Sequence, residues 1–181
     1  MNRLLLVRHT QVARRWTGRC YGHSNAGLSR DGHAAALVLA EKLAALKPDH
    51  IVCSDLRRTA ILAAMVGRLA GITPSVTPVW RERDYGEWEG KTWHRIWQES
   101  GNAMDGMLSD PEYFRPGGGE TTAELVARSR NAWQALPKRG TVLVISHGGP
   151  IAALRWHASS LPVPQIVDFI PALGTFIEHE V

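Results

Sequence analysis

Two apolar runs, Leu4-Leu5-Leu6-Val7 and Val142-Leu143-Val144-Ile145, limit the possible folds more than anything else in the chain. Each has the length of one strand and offers no polar position to a wet face, so each reads as a strand covered on both sides. The residues just past each run do not belong in a core. The first leads into Arg8-His9-Thr10 and the second into Ser146-His147-Gly148-Gly149-Pro150. A cation and an imidazole placed where a central strand stops are positioned to meet a ligand rather than to pack. Two covered strands, each delivering a histidine at its carboxyl end, point to one site built from both.

The rest of the chain alternates strand-like and helix-like segments, which indicates an α/β layer architecture. Residues 8–28 form a loop of about twenty residues, long enough to expect a function for it. A helix is expected over residues 29–46, with Leu39, Leu43 and Leu46 on one face and a stop at Lys47-Pro48. Residues 50–54 read as a short strand. Residues 56–70 read as a helix ended by Gly71, with Ile61, Met65 and Leu69 spaced for burial. Residues 75–79 read as a third strand, weakened by Pro78. A short helix over 92–100 carries Trp93, Ile96 and Trp97, and residues 101–119 read as an irregular flap. Thr121-Thr122-Ala123-Glu124 has the spacing of a capping box and opens a helix to residue 136. A helix is expected to start at Pro150, and two closing strands near residues 165–169 and 174–179. With no repeat, low-complexity tract or linker, residues 1–181 read as a single domain.

Composition narrows the function. The chain is 44% hydrophobic and 21% charged, ordinary values for a folded soluble protein. No apolar stretch has the length needed to cross a bilayer, and no small-residue cleavage site marks a signal peptide. Cys20 and Cys53 are too few for a disulfide framework, so a cytoplasmic location is expected, and both thiols read as inert. The net charge of +4 is spread along the chain. It suits a small anionic substrate and does not call for nucleic acid or a membrane surface. The oligomeric state is left open between monomer and homodimer.

Four polar clusters follow four strand-like segments: Arg8 with His9, Ser54 to Arg58, Arg81 with Glu82, and His147. In one mostly parallel sheet their carboxyl ends line a single edge, where open α/β folds bind ligands. Arginine forks match phosphate oxygens bidentately. Pro150 suits the first position of a helix, which would leave the Gly148 and Gly149 N–H groups open toward that edge. No group of residues has metal-ligand spacing, and His147 and His157 stand too far apart on one element to chelate, so neither metal nor cofactor is expected. Such parts suit phosphoryl transfer. A neutral His9 attacks phosphorus, Arg8, Arg58 and His147 offset the charge, and Glu82 protonates the departing alcohol and then activates water.

Blander readings stand beside these. A lone His9 would more often be structural, and Glu82 could be a surface partner of Arg81 or Arg83. Arg57 reads as solvent-facing or ion-paired, and Glu120 as a helix cap or a pocket residue. Most tryptophans read as packing, with Trp16, Trp80 and Trp88 as candidates to rim a pocket.

These residues resemble the histidine phosphatase superfamily, with its phosphoglycerate-mutase-like fold, over nearly the whole chain. Leu6-Val7-Arg8-His9-Thr10 is similar to the family's first signature, with His9 as nucleophile. Ser54-Asp55-Leu56-Arg57-Arg58-Thr59 is similar to the second, which puts the phosphate-binding arginine at Arg58. The segment from Arg81 through Tyr85-Gly86-Glu87-Trp88-Glu89-Gly90 resembles the one carrying the proton donor, at Glu82. Ser146-His147-Gly148-Gly149-Pro150 supplies the second histidine, and Pro116-Gly117-Gly118-Gly119-Glu120 resembles a turn common before the penultimate helix. The resemblance implies a three-layer αβα sandwich with a mostly parallel sheet of five or six strands, and catalysis without metal or nucleotide. It also places Arg15, Gly22, His23, Tyr85 and Gly148 around the phosphate and substrate. The chain departs from many relatives at Val12, Arg15 and Leu62, positions that bear on the pocket rim and helix packing.

Within that family the residues favour a phosphatase over a mutase. The flap over 101–119 holds Arg115 as its one cation, Trp93 stands where mutases carry a substrate-binding lysine, and Gly149 replaces their Asn. The segment Gly18-Arg19-Cys20-Tyr21-Gly22-His23-Ser24 resembles one found in α-ribazole phosphatases, although broad-specificity members fit its surroundings nearly as well.

Overall fold

Successive residues of a strand face opposite sides of a sheet, and in this molecule both sides are dry. The computed structural model describes residues 3–159 and 161–179. In chain order the elements are β1 (Arg3–Arg8), α1 (Arg30–Ala45), β2 (His50–Cys53), α2 (Arg57–Ala70), β3 (Ser75–Val76), α3 (Trp93–Ser100), α4 (Gly106–Ser109), α5 (Thr122–Gln134), β4 (Thr141–Ser146), α6 (Gly148–His157) and β5 (Phe176–His179). The sheet order is β3-β2-β4-β1-β5, parallel throughout except for β5, which runs antiparallel to β1.

Register sorts the core into two layers. Leu5 lies beside Leu143, which lies beside Ile51, and this row packs against Leu39 and Leu43 of α1 and Leu62 and Val66 of α2. The next row, Leu6 beside Val144, faces the other way onto Ala132 of α5, Ile151 and Leu154 of α6, and Trp80. The apolar runs are therefore covered on both faces by helices, giving the αβα sandwich. No helix among the described residues is long and apolar enough to cross a membrane.

Helix ends follow local chemistry. Ser29 caps α1 by accepting from Gly32 N–H, Gly71 closes α2 at φ 71°, and Thr121 with Glu124 forms a complete capping box on α5. Several expectations need correction. Residues 165–169 are no strand but part of a 3-10 helix, Val163–Phe169, because Pro162 and Pro164 suit a helical first turn and donate to no ladder. The third strand stops at Val76, and Pro78 opens a 3-10 turn instead. Helix α6 begins at Gly148, so Pro150 sits inside its first turn, where no N–H partner is lost. The buried face of α2 runs through Arg58, Leu62 and Val66, leaving Leu69 52% exposed. The flap is not wholly irregular, since it contains α4 and two 3-10 turns.

Leu143 is fully buried where β4 lies between β1 and β2. Leu143→Ala should destabilise the fold by about 2–5 kcal/mol in urea unfolding, a cavity cost with no room to collapse.

Candidate functional site

Strand register puts the two histidines side by side. Arg8 ends β1 opposite Ser146 at the end of β4, so His9 and His147 leave adjacent strands together. His9 N–H donates to the Ser146 carbonyl at 3.2 Å, and the two rings lie edge to face with centroids 5.2 Å apart. Both side chains are buried. Their tautomers are set by their partners. His9 Nδ1 lies 2.8 Å from the Thr10 carbonyl, which only accepts, so Nδ1 carries the proton and Nε2 keeps its lone pair. His147 Nδ1 accepts from Arg58 Nε at 3.1 Å, so the proton of His147 sits on Nε2, a buried atom with no partner.

Arg58 organises this centre from the first turn of α2. It is fully buried, and besides His147 it donates through Nη2 to the Gly22 carbonyl at 2.6 Å and through Nη1 to the Ser24 carbonyl at 2.9 Å. Its guanidinium carbon lies 5.1 Å from the Tyr21 ring centre. Arg8 donates through Nη1 to the Pro171 carbonyl at 2.6 Å, while its Nε is buried without a partner. Neither arginine forms an ion pair among the described residues. Two uncompensated guanidinium groups next to two N–H or lone-pair nitrogens make an anion site.

The electrostatics agree. Burial, then the Arg58 charge, lower His9 to about 3. The same two causes, in the same order, hold His147 well below the usual imidazole range. Both rings are neutral at neutral pH, the state that leaves His9 Nε2 nucleophilic.

Glu82 approaches from the opposite wall. Ser146 Oγ donates to the Trp80 carbonyl at 2.7 Å, tying the end of β4 to the start of the Glu82 segment. The Glu82 carboxylate accepts from Arg83 N–H at 2.9 Å and from Gly149 N–H at 3.0 Å. Glu82 thus occupies the Gly149 N–H at the amino end of α6, and Gly149 is not the open donor expected for an incoming anion. A Cβ at Gly149 would collide with Glu82 Oε1, and a Cβ at Gly22 with the Arg83 carbonyl, so both glycines allow close approach.

A cavity of about 450 Å³ opens beside this centre, and Arg8, Gly22, Glu82, Tyr85 and Gly148 lie on its wall. His9, Arg58 and His147 are buried and form no part of the accessible wall. Two expected substrate residues lie elsewhere. Arg15 is exposed on a 3-10 turn, its guanidinium 5.9 Å from the Trp16 ring centre. His23 points behind the wall, where its Nε2 donates to the Glu82 carbonyl at 2.9 Å. Trp80 and Trp88 are core residues rather than rim, and Trp93 lines the cavity instead. Arg57 is exposed, and Glu120 pairs with Arg128 rather than capping α5 or entering the pocket.

Sequence reasoning missed the residues that brace the site through backbone atoms. Glu89 accepts from His23 N–H at 2.6 Å and Ser24 Oγ at 2.7 Å, pinning the 22–24 loop to the Glu82 segment. Arg128 engages three carbonyls of that segment. Only the position of Glu89 within Glu87-Trp88-Glu89-Gly90 hinted at either. Among the described residues, no three His, Cys, Asp or Glu side chains are grouped to hold a metal ion.

A depressed native imidazole makes stability depend on pH. In the unfolded chain His9 titrates at its ordinary 6.5, while the native ring stays neutral down to about 3. Its contribution is complete above the unfolded value and is lost progressively as pH falls toward the folded one. Urea unfolding of His9→Gln should show a slope against pH shallower than wild type by about 1.4 kcal/mol per unit between roughly pH 6 and pH 4. Equal slopes would mean that His9 is protonated in the native state.

The same elements recur in known proteins. Residues 4–178 match the histidine phosphatase superfamily (branch 1). A glucosyl-3-phosphoglycerate phosphatase of Mycobacterium tuberculosis is 34% identical over 184 residues, covering 95% of this chain and 80% of its own length. A metal-independent phosphoserine phosphatase of Arabidopsis thaliana is 29% identical, covering 83% of this chain and 66% of its own. The solved structure of a mycobacterial glucosyl-3-phosphoglycerate phosphatase in complex with VO3 superposes with a TM-score of 0.86 at 30% identity, over 98% of this chain and 92% of that one. The α-ribazole phosphatase from Shigella flexneri shares the fold, with a TM-score of 0.83 at 22% identity over 99% and 90% of the two chains. A sheet that brings two histidines to one edge, and a match that runs almost end to end, agree: the chain belongs to the histidine phosphatase superfamily, branch 1.

Proposed function

We propose that this chain hydrolyses small phosphomonoesters through a phosphohistidine at His9. The observation that carries the reading is the pairing of tautomers. His9 has a free lone pair on Nε2, and beside it His147 holds an N–H with no acceptor. In the first step His9 Nε2 forms a bond to phosphorus as the P–O bond to the leaving group breaks, and Glu82 gives that oxygen a proton. Arg8, Arg58 and His147 Nε2–H take up the charge on the non-bridging oxygens. In the second step the Glu82 carboxylate removes a proton from water, whose oxygen displaces the imidazole from phosphorus. Phosphate leaves and His9 regains its lone pair. The phosphatase relatives support the coarse reaction, and they differ in the substrates their names give.

Beyond the charged residues Arg8, Arg19, Glu82, Arg83 and Asp105 the cavity wall is largely apolar, with Trp93, Met104, Met107, Leu125, Ile166 and Ile170. Two methionines make such a wall adaptable, and the Trp93 and Tyr85 rings, edge to face at 5.7 Å, offer a surface to a planar group. This supports a leaving group with apolar, planar character, as in α-ribazole 5'-phosphate. The flap's only cation, Arg115, is turned onto Glu124 and the Gly119 carbonyl, which supports hydrolysis over a mutase reaction that must hold a second anion. One observation favours the alternative, phosphoglycerate mutase-type transfer. Arg83 lies on the cavity wall, 7% exposed, with one hydrogen bond to Thr122 and no ion pair among the described residues.

His9→Ala should fold normally yet lose turnover by on the order of a thousandfold or more. The assay is phosphate release from α-ribazole 5'-phosphate, glucosyl-3-phosphoglycerate, phosphoserine and 3-phosphoglycerate without any bisphosphate primer. Retained activity would eliminate His9 as the nucleophile, and isomerised product without free phosphate, formed only once a bisphosphate primer is added, would establish the mutase.

A further inference from the structure

We propose that Arg128 is a positioning residue for Glu82, fixing the backbone that delivers the carboxylate; this rests on the proton-donor reading above. Arg128 stands on α5 and takes no part in the wall of the site cavity. Three donations of its fork nevertheless go to the Glu82 segment. Nη1 donates to the Val79 carbonyl at 2.7 Å and to the Arg81 carbonyl at 3.0 Å. Nη2 donates to the Glu82 carbonyl at 3.4 Å and to Glu120 Oε2 at 2.8 Å, while Nε donates to Glu120 Oε1 at 2.8 Å. All five N–H groups of the guanidinium are engaged.

Glu120 closes the arrangement from its other end, since its own N–H donates to the Asp84 carbonyl at 2.9 Å. The carbonyls of residues 79, 81, 82 and 84 are therefore gathered on one ion pair. Between the 3-10 turn at Pro78–Trp80 and the one at Gly86–Trp88 the chain has no ladder to order it. Backbone carbonyls there need donors from elsewhere, and one planar five-donor group supplies several at fixed angles. A lysine could not. Arg128 and Glu120 are both half-buried, and with every guanidinium N–H engaged the orientation of the pair is fixed, so what it contributes to the segment is geometry.

Geometry of an acid has a specific kinetic signature. A proton donor matters when the leaving oxygen is a poor leaving group, and hardly at all when it departs as a stable phenolate. A merely structural loss would weaken all substrates alike. The test compares kcat/KM, which reports the steps through P–O cleavage, for an alkyl phosphate and for p-nitrophenyl phosphate. Arg128→Gln should lose roughly tenfold or more on the alkyl ester, and less than about threefold on the aryl ester. Glu82→Gln should show the same split more strongly, by about a hundredfold on the alkyl ester, and adding Arg128→Gln to it should cost nothing further.

Equal losses on both substrates, or additive losses in the double variant, would overturn the proposal. If Glu82→Gln itself shows no split, the donor reading fails first and the role of Arg128 with it. Should Arg128→Gln not fold, Glu120→Gln loosens the same arrangement from the other side and is held to the same split.

Discussion

A guanidinium sealed inside the protein, with no ion pair among the described residues, governs the site. A buried, unpaired charge is unfavourable, and Arg58 persists because neutral acceptors surround it. Those acceptors are the Gly22 and Ser24 carbonyls and His147 Nδ1. Each contact does something to the site. Holding Gly22 and Ser24 shapes the loop after the first strand. Donating to His147 decides which of its nitrogens bears the proton. Burial first, and then this charge, keeps both imidazoles unprotonated, which preserves the lone pair on His9 Nε2 and leaves the positive field to the arginines.

Most of the frame was legible in the residues, for identifiable reasons. The runs at Leu4 and Val142 could only be doubly covered strands, and the histidines after them had to share an edge once the strands were parallel neighbours. Caps at Ser29 and Thr121 act over three residues, so their signal is complete in the local sequence. The 165–169 segment misled because Ile166, Val167 and Phe169 have strand-like composition, while Pro162 and Pro164 decide the backbone. Trp80 misled because an aromatic next to a functional acid suggests a rim, whereas the chain turns it beneath the sheet.

The part of the site that stayed hidden works through main-chain atoms. Glu89 and Arg128 hold carbonyls and N–H groups in segments far away along the chain, and every residue type presents the same backbone. Spacing carries no trace of such partners. Arg15 shows the converse, since the resemblance put it at the phosphate, yet it stands exposed on a 3-10 turn against the Trp16 ring. The two histidines of the centre come from strand ends, while much of the apolar side of the cavity comes from the flap and the 163–169 turn.

The sheet's far border has its own consequence. Strand β3 consists of only Ser75 and Val76, and although Val76 is 57% exposed, Pro78 comes immediately after Thr77 without an N–H to offer. A neighbouring molecule seeking to extend the sheet would find two residues of ladder and then none. The border that brings β2 to the surface is thereby protected against fibril-like stacking, even though an oily side chain sits openly upon it.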